Sequence, residues 1–235
     1  MLEAKHISFS WGRAPLLDDV SFSVAPGETV ALAGANGAGK TTLLRILAGV
    51  CLPCAGTVVG DGADMFLAPL RYRRLLGYLP ETAAVEPGMT VKEYLKYRAN
   101  LKGEMPKKIR HRVLEAMELC GLSARADVRV DYLSQGLRKR VALADAILLR
   151  PRFLLLDDLL AGLDAETRFS VVRILKSVSS FAATLVSGHE LEELQGLATR
   201  FLILKDGRLI GAKTASGVRT VLTAVPSRKG EGRSA

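Results

Sequence analysis

One short stretch constrains the fold of this chain more than any other: Gly34-Ala35-Asn36-Gly37-Ala38-Gly39-Lys40-Thr41-Thr42. It lies between a short apolar strand, Thr29–Ala33, and a helix with apolar periodicity that ends near Gly49. The glycines let successive backbone N–H groups turn inward around a phosphate chain, and the helix directs its positive end at the same phosphates. A glycine-rich turn that merely precedes a lysine is the alternative. The strand before it and the helix after it favour a phosphate-binding loop.

Each polar group in this loop has an expected task. Lys40 would neutralise the β and γ phosphates, and the Thr41 hydroxyl would bind Mg²⁺. The residues expected to contact the nucleotide are Gly34, Asn36, Gly37, Ala38, Gly39, Lys40, Thr41 and Thr42.

A second chemical signal follows a buried strand farther along the chain. Phe153–Leu156 is continuously apolar, which is typical of a strand buried on both faces, and Asp157 comes directly after it. A carboxylate at the carboxyl end of a parallel strand lies where such sheets bind ligands, so Asp157 is expected to hold Mg²⁺ through water. The alternative is an aspartate that caps the next helix.

Composition excludes several classes of protein. The chain has 235 residues, 33 Lys plus Arg against 24 Asp plus Glu, and therefore a net charge of +9. It has no apolar run long enough to span a membrane and no signal-peptide pattern at its N-terminus, so a cytoplasmic location is expected. The positive charge lacks interleaved aromatic residues, so no nucleic-acid partner is expected. Three cysteines cannot form a disulfide framework, and Cys51 and Cys54 are expected to be reduced thiols.

The order of elements predicts an α/β fold with a helical insertion. Strands separated by helices imply a parallel sheet with right-handed crossovers. Asp206-Gly207 predicts a two-residue hairpin turn between Arg200–Lys205 and Arg208–Lys213. Further strands are predicted at Leu2–Phe9, Val20–Val24, Thr57–Val59, Leu76–Leu79 and Ala183–Ser187, and helices at Val91–Lys102, Pro106–Cys120, Ser134–Leu149, Ala165–Val178 and Leu191–Leu197.

Taken together, the motifs resemble those of the nucleotide-binding subunit of an ABC transporter. In chain order they are the phosphate loop Gly34–Thr42, the glutamine-loop region Gly77–Glu81, the signature Leu133–Leu137, the Walker B strand Phe153–Asp157, the D-loop Ala161–Asp164 and the switch region Ser187–His189. The resemblance implies a P-loop NTPase (RecA-like) parallel-sheet core with an antiparallel β subdomain and an inserted helical subdomain. It implies one cassette over residues 1–213, with the core at 1–85 and 151–213 and the helical subdomain at 86–150. Residues 214–235 would be a short tail.

The resemblance also implies how the site is completed. Two subunits would stack head to tail, so that Ser134 and Gly136 of one bind the γ-phosphate held by the other; Ser134 alone could equally be an ordinary helix N-cap. Trp11 stands where the family has an aromatic residue that stacks on adenine, although a tryptophan buried in the core is the alternative. His189 resembles the histidine that contacts the γ-phosphate.

Three departures from the family pattern affect the expected chemistry. Asp158 stands where a glutamate normally polarises the attacking water, and it is one methylene shorter, so slow hydrolysis is expected. Leu159 replaces the usual proline, which would let that loop shift. Glu81 replaces glutamine in the glutamine loop, and its carboxylate would bind Mg²⁺ more strongly than the amide of glutamine. In the signature, Gln135 and Leu137 replace the usual residues, while Ser134 and Gly136 remain.

The expected function is therefore that of an ATP-hydrolysing motor, with ATP and Mg²⁺ bound, as a homodimer or heterodimer, on a separate membrane permease. Glu81 and the stretch Gly88–Leu95 resemble the ABC-2 and gliding-type exporter branch, which favours export and a place on the inner face of the cell membrane. Two alternatives remain: a slow ATP-dependent switch or degenerate half of a heterodimer, and a soluble ABC ATPase outside transport.

Overall fold

A computed structural model describes residues 1–82, 85–188 and 194–212 of the chain, and within these residues ten strands form two sheets. The strands are β1 (Leu2–Trp11), β2 (Ala14–Val24), β3 (Thr29–Ala33), β4 (Ala55–Gly60), β5 (Ala63–Asp64), β6 (Leu76–Leu79), β7 (Phe153–Leu156), β8 (Ala183–Gly188), β9 (Arg200–Lys205) and β10 (Arg208–Ala212). The α-helices are α1 (Lys40–Leu47), α2 (Pro69–Arg73), α3 (Val91–Leu101), α4 (Pro106–Leu119), α5 (Gln135–Ile147) and α6 (Ala165–Val178).

The larger sheet has the strand order β10-β9-β3-β8-β7-β6, and all its pairs are parallel except that between β10 and β9. Strands β3, β7 and β8 are buried along their whole length, which explains their continuous apolar sequences. Their carboxyl ends meet at one edge of the sheet. This edge therefore receives the phosphate loop after β3, Asp157 after β7 and Ser187 near the end of β8.

The smaller sheet is antiparallel, with the order β2-β1-β4-β5. It packs with α1 and α2 on one side of the larger sheet in a single apolar cluster. The β1–β2 hairpin turns at Gly12, so that Trp11 stands at the tip of this sheet. The predicted antiparallel subdomain and parallel core are both confirmed.

Helices α3, α4 and α5 pack on the opposite side in a second apolar cluster. Thr90 and Glu93 form a capping box at the start of α3, and Ser134 caps α5. Asp145 on α5 pairs with Arg98 of α3 at 2.9 Å and with Lys102, the residue after α3, at 2.8 Å, so a buried carboxylate joins these two helices.

The structure confirms most predicted elements and corrects a few bounds. Strand β2 begins at Ala14, six residues before the predicted start, and the short helix α2 was not predicted. The hairpin turn is confirmed, since φ is +47° at Asp206 and +79° at Gly207. The first part of the predicted helix Leu191–Leu197 and the tail 214–235 lie outside the described residues.

Two further observations bear on the sequence predictions. None of the helices in the described part of the chain is long and apolar enough to cross a membrane. The three cysteines are free thiols, with Cys54 exposed and Cys120 buried.

Candidate functional site

A cleft of about 410 Å³ opens at the carboxyl edge of the larger sheet. It brings together most of the residues that the sequence singled out. The lining residues are Trp11, Leu16, Asn36, Gly37, Gly39, Lys40, Thr41, Thr42, Glu81, Asp157, Asp158 and Ser187.

The phosphate loop owes its shape to its glycines. Gly37 and Gly39 have φ values of +79° and +102°, which side chains rarely tolerate. A Cβ at Gly39 would lie 2.9 Å from Leu17 Cδ2, and one at Gly34 would collide with the Leu204 carbonyl oxygen. The loop is therefore pressed against β2 and β9 on one side, and its backbone lines the cleft on the other.

The side chain of Lys40 folds back over the phosphate loop and reaches its first two residues. Its Nζ donates to the carbonyl oxygen of Gly34 at 2.8 Å and to that of Ala35 at 3.0 Å. Burial lowers the pKa of Lys40, and the negative charges of Asp158, Asp157 and Glu81 oppose that shift in part. The site thus combines one cation with three carboxylates in a partly dry cleft.

Asp157 is the buried centre of a hydrogen-bond network. Its Oδ1 accepts the hydroxyl of Thr41 at 3.2 Å and that of Ser187 at 2.8 Å. Its Oδ2 is also buried but has no hydrogen-bond partner among the described residues. Asp157 does not cap the next helix, because Asp164 caps α6 instead. An orphaned carboxylate oxygen at a ligand cleft indicates a binding role.

Ser187 is a site residue whose role the sequence did not reveal. Besides donating to Asp157, its Oγ accepts the backbone N–H of Asp158 at 3.0 Å, so one hydroxyl orients two consecutive carboxylate-bearing residues. The only sequence signal was its place at the end of a buried strand, next to the predicted switch histidine.

Asp158 lines the cleft with a half-buried side chain and an unusual backbone. Its φ is +49°, in the left-handed region. Aspartate adopts this region more readily than most residues with a longer side chain. The left-handed backbone conformation at position 158 is therefore one reason why an aspartate fits there.

Trp11 lies at the mouth of the cleft. Its side chain is 60% exposed, and its ring meets that of Phe9 edge to face with centroids 5.1 Å apart. The alternative of a tryptophan buried in the core is wrong. An exposed indole face beside a phosphate loop is suited to a purine, and this role stays a prediction.

The remaining predicted residues lie outside this cleft. Ser134 caps α5, where its Oγ accepts the Leu137 N–H at 3.4 Å. A Cβ at Gly136 would lie 2.8 Å from Thr167 Cγ2, so this glycine allows α5 to approach α6. Gly34 and Ala38 belong to the phosphate loop but do not line the cleft, and a Cβ at Gly34 would lie 3.4 Å from Ala38 Cβ. His189 lies outside the described residues.

No group of three or more His, Cys, Asp or Glu side chains within the described residues forms a protein cage for a metal ion. The oxygens of Thr41, Asp157 and Glu81 instead border an open cleft. Such an arrangement leaves room for ligand oxygens and water.

Comparisons with known proteins identify the family of this chain. The family model described as ABC transporter matches residues 17–161. An ABC transporter ATP-binding protein of Bacillus subtilis is 35% identical over 209 residues, which cover 89% of this chain and 69% of the relative. The Nod factor export ATP-binding protein I of Paraburkholderia xenovorans is 34% identical over 224 residues, covering 95% and 72%.

Solved structures show the same relationship. An ATP-binding subunit of an ABC transporter superposes with a TM-score of 0.83 at 28% identity, over 95% of this chain and 93% of that one. A dimeric bacterial ABC transporter cassette superposes with a TM-score of 0.79 at 26% identity, over 89% and 96%. The chain therefore belongs to the ABC transporter family, as an ATP-binding and ATP-hydrolysing subunit.

Proposed function

We propose that two such cassettes close head to tail around two Mg²⁺-bound ATP molecules and drive a separate membrane permease that exports its cargo. One observation carries the nucleotide part: the phosphate loop, Asp157, Asp158 and Glu81 share a single cleft, with Trp11 at its mouth. These groups come from segments far apart in the chain. Their convergence provides stacking, phosphate binding and a carboxylate for water within one site.

The loop backbone and Lys40 would bind the phosphates. Lys40 Nζ now donates to two neutral carbonyl oxygens. Anionic phosphate oxygens form stronger, charge-assisted hydrogen bonds with an ammonium group. Phosphate binding would therefore draw Lys40 away from Gly34 and Ala35, and leave those carbonyls to water or backbone partners.

The oxygen groups of the cleft fit Mg²⁺. Asp157 presents a buried oxygen that has no hydrogen-bond partner in the described part of the chain, and Thr41 is already oriented toward the same carboxylate. Mg²⁺ prefers oxygen ligands and keeps several waters, which matches one or two protein oxygens beside phosphates. Thr41, Asp157 and Glu81 would hold the ion, which would supply charge neutralisation at the phosphates.

Asp158 is the proposed residue for hydrolysis. Its carboxylate would orient the attacking water and accept its proton, with His189 as the proposed contact to the γ-phosphate. The hydroxyl of Ser134 and the N-terminus of α5 would bind the γ-phosphate from the partner subunit. Because Ser134 lies outside the cleft of its own chain, each site would be complete only in a dimer.

The permease side rests on the resemblance to ABC-2 exporters. Glu81 lines the nucleotide cleft and precedes the helical subdomain, so it lies where nucleotide binding could be passed to a membrane partner. The names of the relatives point in both directions, since one is a Nod factor exporter and another an Fe³⁺ importer of Photorhabdus laumondii. Export is therefore proposed from Glu81 and Gly88–Leu95. Permease binding would place the protein at the cytoplasmic face of the membrane.

The first test is ATP turnover and ATP-driven dimerisation of the purified chain, with Lys40→Ala beside it. We expect the wild type to dimerise and release phosphate, and Lys40→Ala to lose both by at least about tenfold, because the phosphates lose their only loop cation. Coexpression with a candidate permease and co-purification from membranes tests the partner. A wild type that binds no ATP would overturn the proposal.

A second function is favoured by one observation. Asp158 is shorter than the usual glutamate and is held in a left-handed backbone conformation. An ATP-dependent switch, or the silent half of a heterodimer, would bind ATP and dimerise but not turn over. The same measurement separates the two functions, since only the motor releases phosphate.

A further inference from the structure

The loop that carries Asp158 is held by a side chain from another part of the molecule. Lys139 on α5 directs its Nζ to the carbonyl oxygens of Leu159, at 3.1 Å, and of Ala161. These are the first and third residues after Asp158. A lysine ammonium carries three donors, and here two of them hold one short loop.

The rest of this loop, residues 158–163, is also fixed to the core. The Asp158 N–H donates to Ser187 Oγ at 3.0 Å, and the Ala161 N–H donates to the Asp158 carbonyl oxygen at 3.3 Å. The side chains of Leu159, Leu160 and Leu163 are buried. Among the described residues, Lys139 thus adds two charge-assisted hydrogen bonds to a turn that also has backbone hydrogen bonds and apolar packing.

The position of Lys139 on α5 also connects the 158–163 loop to Ser134 at the start of the same helix. Ser134 caps the start of α5 and lies about 7.5 Å along the helix axis from Lys139. Under the proposed function, Ser134 binds the ATP of the partner subunit, whereas Asp158 acts on the ATP of its own. One rigid helix therefore joins two different ATP sites.

We propose that Lys139 is a positioning residue that places Asp158 for hydrolysis and links it, through α5, to the ATP bound at Ser134. The inference rests on the proposed function for its catalytic part. Leu159 has no ring that fixes its φ, so contacts with other segments contribute to the conformation of this loop. The two hydrogen bonds of Lys139 supply that contact.

The experiment compares Lys139→Met, Lys139→Arg and a matched control, Arg138→Met. Methionine keeps the length and the apolar stem of lysine but cannot donate to carbonyl oxygens. Arginine keeps a cation with several donors. Arg138 is exposed, borders the same neighbouring cleft as Lys139 and is the adjacent residue on α5.

The first readout needs no nucleotide: amide hydrogen exchange over residues 158–163. We expect Lys139→Met to speed exchange in this segment by about tenfold, because the turn loses two of its hydrogen bonds. Lys139→Arg and Arg138→Met should resemble the wild type. Equal exchange in Lys139→Met and wild type would overturn the inference, whether or not the protein hydrolyses ATP.

The second readout is kinetic. We expect Lys139→Met to lower kcat by about 10- to 100-fold with KM for ATP changed less than about twofold, since a shift of about 1 Å misplaces the carboxylate but leaves the phosphate loop intact. Lys139→Arg should recover most of kcat. A parallel rise in KM, or no recovery by arginine, would show a general structural defect and overturn the positioning role. Loss of ATP binding in the wild type would instead count against the proposed function.

Discussion

At the scale of single residues, Asp158 best shows how backbone and chemistry constrain each other. Its carboxylate is one methylene shorter than that of glutamate, yet its φ of +49° favours aspartate over glutamate. Ser187 fixes its N–H, so the main chain cannot rotate freely to extend its reach. At this position the reach of the side chain therefore favours glutamate, whereas the backbone conformation favours aspartate.

Replacing Asp158 by glutamate should separate these two effects. Since Asp158 is the residue proposed to orient the attacking water, we expect kcat to rise by about tenfold or more as the longer carboxylate regains reach toward that water. We expect Tm to fall by about 2–4 °C, because a glutamate in left-handed backbone costs about 1 kcal/mol. Single-turnover kinetics and thermal denaturation check the two parts. A slower glutamate variant would show that the loop already places aspartate correctly.

At the scale of elements, the contact between helices α5 and α6 depends on a single residue without a side chain, Gly136. Gly136 was expected to permit close approach to the γ-phosphate of the partner. Within the chain, a Cβ at this position would lie 2.8 Å from Thr167 Cγ2, so the glycine also permits contact between α5 and α6. Both reasons for glycine are open to test.

The pair Gly136→Ala and Thr167→Ser distinguishes the two reasons. We expect Gly136→Ala to lower the free energy of unfolding by about 1–3 kcal/mol through overpacking. Thr167→Ser removes the obstructing methyl group but keeps the hydroxyl that bonds Asp164 at 2.9 Å. The double variant should recover most of that loss in denaturant unfolding. If Gly136→Ala impairs only ATP-driven dimerisation, with or without Thr167→Ser, the γ-phosphate explains the glycine.

Glu28 lies between β2 and β3, pairs with Arg200 of β9 and makes stability depend on pH. Arg200 Nε donates to its Oε1 at 2.6 Å, and the Ala25 N–H donates to its Oε2 at 2.8 Å. Burial raises the pKa of Glu28, but these hydrogen bonds and the charge of Arg200 outweigh burial, so its pKa lies below the ordinary 4.5. A lowered carboxyl pKa stabilises the fold above the ordinary pKa and loses that contribution as pH falls.

We therefore expect Glu28→Gln to be less stable than the wild type at pH 7 and to lose less stability on acidification. The difference should shrink from about pH 5 downward, as the wild-type carboxylate is protonated. Urea unfolding across this pH range measures it. The same pH slope in both proteins would show that Glu28 contributes no such linkage.

At the scale of the whole molecule, the proposed head-to-tail dimer would make each ATP site depend on two chains. Lys40 lies in the cleft, whereas Ser134 lies outside it on α5. A single chain would therefore hold two half-sites that belong to different ATP molecules.

Mixing two inactive variants tests this arrangement. Homodimers of Lys40→Ala or Ser134→Ala should both be inactive, because every site lacks one of the two groups. A mixed dimer places both lesions in one site and leaves the other intact. At protein and ATP concentrations that keep both variants dimeric, an equal mixture should therefore recover about a quarter of wild-type turnover, since about half of the dimers are mixed and each has one working site. No recovery in a mixture shown to exchange subunits would contradict the composite site.

The sequence by itself determined the parallel core, the phosphate loop and the carboxylate after β7. These features are local: glycine spacing, apolar runs and strand-end residues follow from backbone sterics and burial, which act over a few neighbours. The same reasoning located the hairpin turn at Asp206-Gly207 and the helical insertion.

Only the tertiary structure decided how distant segments meet. The contacts of Ser187 with Asp157 and Asp158, of Lys139 with the 158–163 loop, and of Gly136 with Thr167 join residues up to 31 positions apart. Each contact depends on the direction of a side chain and on a separation that must be correct to within a few tenths of an ångström. Residue spacing along a chain does not encode those distances, because they are set only when the sheet and helices pack.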